Sequence, residues 1–227
     1  MRKIFFVFLG LLLIIEIGGV RVGSAQRGLE IKGKGLISQN PPFTVTLPSE
    51  FKWVHSSSFE SPRENSLTRV YLYIKEKDRK IEELLIVQIA DKTNPQAGPM
   101  NLPPLKPYTE KRTYQKDRVK KGELVIDYLI QLMAWNPDAP SLQPIVKKGI
   151  TIPSQWALQG QFLFNYLGEH AVFFRYSRDV NSFGIKVSAE GRSWEREVIS
   201  KNEKKALEIF KKDFLEMLNS IQIKPPS

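Results

Sequence analysis

The sequence contains no cysteine. That absence removes disulfide bridges, a thiol nucleophile and thiolate metal sites, and with them the lipid-bearing cysteine that tethers a bacterial lipoprotein. Histidine is nearly absent as well: His55 and His170 are the only two in 227 residues, so imidazole chemistry near neutral pH rests on that pair. No GxSxG, HExxH, Walker loop or complete GxGxxG occurs, which removes the common signatures of hydrolases, zinc proteases and nucleotide enzymes. Nowhere is there an apolar run of the roughly 20 residues that a membrane span needs. These absences together predict a chain that is not an enzyme and carries no cofactor and no metal.

The longest apolar run is short and lies at the start. Arg2 and Lys3 precede twelve residues from Ile4 to Ile15, Glu16 interrupts, and small residues follow to Gly23, Ser24 and Ala25. A charged lead, a short apolar stretch and small side chains three and one before a cut are what signal peptidase binds. Residues 1–25 are therefore expected to be a signal peptide cleaved near Ala25, and the mature protein to be extracytoplasmic, periplasmic or secreted.

The chain carries a formal charge of +10, from 34 basic and 24 acidic residues. Three of those bases and one acid lie in the first 25 residues, which leaves +8 on the mature chain. A surface of that sign attracts polyanions, and outside the cytoplasm these are acidic envelope proteins or anionic membrane surfaces. Nucleic acid is not expected, because stacking aromatics are not interleaved with the basic residues. With 41% apolar and 11% aromatic residues, about 200 mature residues suffice for one core, and oligomeric state is not legible.

Residues 26–42, turning at Gly28, Gly33, Gly35, Pro41 and Pro42, read as a flexible leader. From Phe43 the pattern becomes alternating. Phe43 to Leu47, Phe51 to Phe59 and Leu67 to Ile74 read as strands, and the apolar run Glu83 to Ala90 as a strand buried on both faces. Five prolines between Asp91 and Tyr108 exclude helix and central strand and predict a long loop. Val119, Leu124, Val125, Tyr128, Leu129, Leu132 and Met133 recur at helical spacing and predict a helix over 114–133. A second proline loop follows over 136–155, and loops of such length are commonly functional. Residues 156–165 and 170–178 read as a hairpin turning at Leu167-Gly168-Glu169. Residues 183–189 and 195–199 read as another, and Ser200 with Glu203 forms a capping box that opens a terminal helix over 201–219. Hairpins with an inserted and an appended helix indicate an α+β class, an antiparallel β-sheet flanked by helices, over a single domain of residues 43–224.

The opening Pro42-Phe43-Thr44-Val45-Thr46-Leu47-Pro48, with Trp53 shortly after, and the closing helix through Phe214-Leu215-Glu216-Met217-Leu218-Asn219-Ser220-Ile221 resemble the start and end of the Mog1/PsbP/DcrB superfamily. Over residues 43–224 that resemblance implies an α/β/α sandwich and a noncatalytic accessory or binding role. It supplies no catalytic residues.

Among candidate groups, the carboxylate pairs Glu82 with Glu83 and Glu195 with Glu197 lie among basic residues at strand ends, where solvated charge is expected. The basic run from Lys106 to Lys121 holds seven cations against Glu110 and Asp117. On a helix, Arg112, Lys116 and Lys120 would share one face, so Lys111, Arg112, Lys116, Arg118, Lys120 and Lys121 form a candidate docking surface for an envelope partner or anionic membrane. Trp135 and Trp156, flanking the second proline loop, with Phe164 on the late hairpin, form a candidate hydrophobic cleft. The functional expectation is an exported, noncatalytic accessory or binding protein of the cell envelope, or alternatively a carrier or sensor of a hydrophobic small molecule.

Overall fold

Period-two alternation dominates most of the chain, and side chains that alternate can bury their apolar half only by pairing strands and covering one face of the sheet. The computed structural model describes residues 28–153 and 155–223. The elements run β1 (Leu29–Lys32), β2 (Gly35–Gln39), β3 (Pro42–Thr46), β4 (Lys52–Ser61), β5 (Ser66–Lys77), β6 (Lys80–Lys92), β7 (Thr113–Lys121), β8 (Leu124–Ala134), α1 (Gln143–Val146), β9 (Trp156–Tyr166), β10 (His170–Asp179), α2 (Lys201–Asn219) and β11 (Gln222–Ile223). They form a seven-stranded sheet of order β4-β5-β6-β10-β9-β8-β7 and a four-stranded sheet of order β1-β2-β3-β11. All the pairings are antiparallel.

One face of the large sheet is covered by the small sheet and α2. Ile126, Tyr128, Ile130 and Leu132 of β8, Phe162 and Phe164 of β9, and Phe174 and Tyr176 of β10 all point into this core. Phe43 of the small sheet meets Phe164 and Phe174 edge-on, each at 5.9 Å. From α2, Phe210 stacks on Tyr176 at 5.2 Å and Phe214 reaches Phe162 at 6.0 Å. The helix starts where the sequence indicates: the Ser200 side chain accepts the Glu203 N–H while Glu203 accepts the Ser200 N–H, an arrangement worth about 1 kcal/mol.

The opposite face carries only the one-turn helix α1. Two smaller clusters cover it in part, one under α1 and the second proline loop, the other beneath Leu105 of the first. The expected α+β fold, with helices flanking an antiparallel sheet as an α/β/α sandwich, is therefore corrected to a mostly β architecture of two sheets with a single long helix.

Three local corrections account for the difference. The helix expected over 114–133 is the β7–β8 hairpin, with Lys121 opposite Leu124 and Gly122 at φ +60° in the turn. Its apolar residues satisfy period 3.6 by coincidence, because β8 is buried on both faces from Tyr128 to Leu132, and the β-branched Val119, Val125, Ile126 and Ile130 favour strand. The hairpin expected over 183–199 is an irregular loop in which Trp194 is fully buried and its indole donates to the Ser188 carbonyl at 2.6 Å. One aromatic plug anchors the loop in place of a ladder. The leader expected over 26–42 is, from Leu29 on, the β1–β2 hairpin and the start of β3, with Gly33 at φ +58° in its turn. The proposed signal peptide and its cut lie outside the described residues. Among the described residues, no helix is long and apolar enough to cross a membrane.

Candidate functional site

Strands of one sheet bring residues distant in sequence into rows, and three such rows floor a groove on the face away from α2. His55, Leu72, Ile86, Arg175 and Gln161 form one row across β4, β5, β6, β10 and β9; Ser57, Val70, Gln88, Phe173 and Leu163 form the next; Phe59, Thr68, Ala90 and Ala171 form the third. At strand spacings this floor measures roughly 13 Å along the strands and 19 Å across them. The first proline loop, through Pro99 to Lys106, walls one side, and Pro140, Ser141 and Pro144 of the second loop close another. The open groove holds about 1190 Å³, somewhat more than the usual small-molecule pocket.

The loops are fixed to the sheet by a small number of bonds. Asn165 donates to the Met100 carbonyl at 2.7 Å, and the Met100 N–H donates to Gly168 in the β9–β10 turn at 2.8 Å. The Tyr108 N–H donates to Gln131 at 2.6 Å. Gln131 belongs to a buried amide network: it donates to Gln159 at 3.1 Å, Gln161 donates to the same Gln159 oxygen at 2.5 Å, and Gln159 donates to Ser177 at 3.1 Å. Proline suits such walls because it needs no donor partner where no strand runs alongside.

The candidate cleft residues are not brought together. Phe164 is fully buried in the core on the other face of the sheet. Trp156 points to that same side, beneath Arg112 at 4.6 Å and against Tyr108 at 6.4 Å. Trp135 is buried under the second loop. Of the late-hairpin aromatics, Phe173 alone lines the groove. The groove lies on the sheet face opposite Trp156 and Phe164, edged by Pro140, Ser141 and Pro144 of the second loop.

The candidate docking residues do not form a helix face. Lys111 and Arg112 occupy a single 3₁₀ turn, and Lys116, Arg118, Lys120 and Lys121 lie on β7, an edge of the large sheet. Lys111 and Arg112 approach Glu195 at 3.8 Å, Arg118 forks onto Asp127 at 2.6 and 3.1 Å, and Lys121 donates to the Asn219 and Ile221 carbonyls at the end of α2. That last contact places a cation at a helix C-terminus, where the dipole favours it. Lys116 and Arg118 line a shallower hollow of about 370 Å³ together with Asp117 and Asp127, so its charges balance. Lysines along an edge strand also oppose pairing with another chain.

His170 is hydrogen-bonded through Nδ1 to Asp91 at 2.8 Å, and Arg69 donates to the same carboxylate at 2.9 and 3.0 Å. His55 lines the groove, and burial, reinforced by Lys148 and Lys147, lowers its pKa. Glu83 is buried and tied to Ser49, Lys75 and Tyr176. Among the described residues, no three histidine or carboxylate side chains are grouped to hold a metal ion.

The groove residue that sequence reasoning missed is Arg175. It stands between Phe174 and Tyr176 on an alternating strand, so its parity places it on the face opposite the core, a face the pattern assigns to solvent. The missing signal was the two proline loops, which are long enough to fold over that face. Comparison of the chain with family models, with curated proteins and with solved structures finds no match.

Proposed function

We propose that this chain is an exported, noncatalytic binding protein that holds an apolar small molecule in the groove between the large sheet and its two proline loops. The observation that carries the reading is the groove itself, whose floor sets Val70, Leu72, Ile86, Leu163 and Phe173 among a few polar side chains and is roofed only in part, by the proline loops and the one-turn α1. A sheet face of that composition is ordinarily covered, and a large apolar hollow with a few polar groups is the usual form of a ligand site. Supporting the noncatalytic part, His170 is committed to Asp91, and His55, kept neutral by its surroundings, lies about three strand spacings, roughly 14 Å, from Arg175.

The experiment is extraction of the protein purified from its native host, followed by mass spectrometry of the organic phase. One class of apolar molecule near equimolar with protein is expected, and Ala90→Trp, which fills the third floor row, should lose it without unfolding. A wild-type extract empty of any stoichiometric compound would defeat the reading. Export is checked on the same material: N-terminal sequencing should begin at Gln26, and a chain still starting at Met1 would contradict cleavage.

A further inference from the structure

The geometry points to a ligand whose apolar body ends in a single anionic group, bound by the guanidinium of Arg175, an assignment that rests on the groove being a ligand site. Arg175 is flanked across the sheet by Ile86 and Gln161 and along β10 by Phe173 and Ser177. Its diagonal neighbours, Leu84, Gln88, Gln159 and Leu163, are uncharged as well. Side chains on one face of a sheet meet these neighbours before any others, so the register itself withholds a carboxylate from this arginine.

Its surroundings offer little else. The oxygen of Gln159 already accepts from Gln131 and Gln161, and the Gln131 oxygen accepts from Tyr108. Among the described residues the Arg175 Nε is sealed from solvent with no hydrogen-bond partner, and its guanidinium lies over the Phe173 ring at 5.3 Å. Burial alone lowers its pKa to about 10, which leaves it charged at neutral pH. The acid on the groove wall, Glu64, lies beyond the far row, roughly 20 Å away along the strands, further than salt lets charges interact. Three other arginines of the fold have carboxylate partners: Arg69 has Asp91, Arg118 has Asp127 and Arg178 has Asp213. A part-exposed guanidinium whose Nε is sealed and unpartnered gains from an anion that supplies what the protein omits.

The groove adds direction. From the Arg175 row it runs past Phe173 toward Ala90 and Ala171, small side chains that leave depth for a chain. Of the cations that line the groove, Lys92, Lys106 and Arg175, Arg175 alone has a sealed nitrogen without a partner, and a guanidinium binds two oxygens of a carboxylate or phosphate in a fork. The shared chemistry is that of a fatty acid or a monoalkyl phosphate.

The test titrates the full chain, stripped of bound lipid, with dodecanoate, dodecyl phosphate and dodecanol, in wild type and in Arg175→Met. Wild type is expected to bind at least one anion on the order of 30-fold more tightly than the alcohol, and the order of the two anions identifies the head group. Arg175→Met should bind dodecanol as before and lose the preference, with Arg175→Lys keeping part of it. Without ligand, Arg175→Met should melt no lower than wild type, since it removes an unmatched charge. A wild type that binds alcohol and anions equally, or a Met variant that keeps the preference, overturns the assignment and leaves the groove as a site. A Met variant that melts several degrees lower also overturns it, by revealing an internal partner. Binding of none of the three probes overturns the groove reading together with it.

Discussion

Gly160→Ala is expected to cost about 3 kcal/mol of stability or more, although it adds one methyl group. Gly160 lies on β9 between Ile130 and Tyr176 of the neighbouring strands, directly beneath the Phe214 ring. A Cβ there would stand 2.7 Å from Phe214 Cγ and closer still to Cδ2 and Cε2, well inside contact distance. The ring has no room to retreat, because Phe210 and Tyr128 at 6.3 Å and Phe162 at 6.0 Å enclose it. Close-packed interiors pass such an insertion on as displacement of the whole layer. Phe214→Ala alone should cost about 3–5 kcal/mol through its cavity, and that cavity is where the new methyl would go. The Gly160→Ala, Phe214→Ala double variant should therefore be no less stable than Phe214→Ala. Denaturant unfolding of the three variants settles it: additive losses, or a Gly160→Ala variant within 0.5 kcal/mol of wild type, would mean that helix α2 does not rest on this glycine.

Gly160 also illustrates what the sequence conveyed and what it withheld. The hairpin around Gly168 and the capped helix are readable, because alternation, turn chemistry and capping are local signals. That the helix lands on a glycine is a long-range fact with no local mark. Residues 114–133 differ for another reason: from Tyr128 to Leu132 the strand is buried on both faces and has no exposed side to reveal its period. The groove was half legible. Prolines announced two long loops, but nothing in them states which face they cross, and Trp156 and Phe164 were assigned to a cleft that lies on the other side of their own sheet. Arg175 escaped notice because a charged residue at a polar-parity position is ordinary until something encloses it.

Replacing Glu83 by leucine should cost about 3 kcal/mol at neutral pH and remove part of the acid sensitivity of the fold. Glu83 is 2% exposed on β6, where its carboxylate accepts from Ser49 at 2.5 Å, Lys75 at 2.9 Å and Tyr176 at 2.8 Å. Burial is the largest single influence on its acidity and pushes the pKa up; the Ser49 and Lys75 hydrogen bonds, the Lys75 charge and the Tyr176 hydroxyl together outweigh it and hold the group below its ordinary 4.5. Lys75 is 39% exposed, so solvent weakens its share, and most of the expected cost is the fully buried Tyr176 hydroxyl left without an acceptor. A carboxyl whose pKa falls on folding contributes stability that is complete above its unfolded value and is lost as pH drops through the folded one. The gap between wild type and Glu83→Leu should therefore be widest near pH 7 and narrow below pH 4.5 as Glu83 protonates in the native protein. Thermal melts of both proteins from pH 7 to pH 3 measure it, with a difference at neutral pH of about 6–12 °C for a chain of this size. A gap that stayed constant across that range would show that the carboxylate charge contributes nothing, and that the site is held by packing around Tyr176 alone.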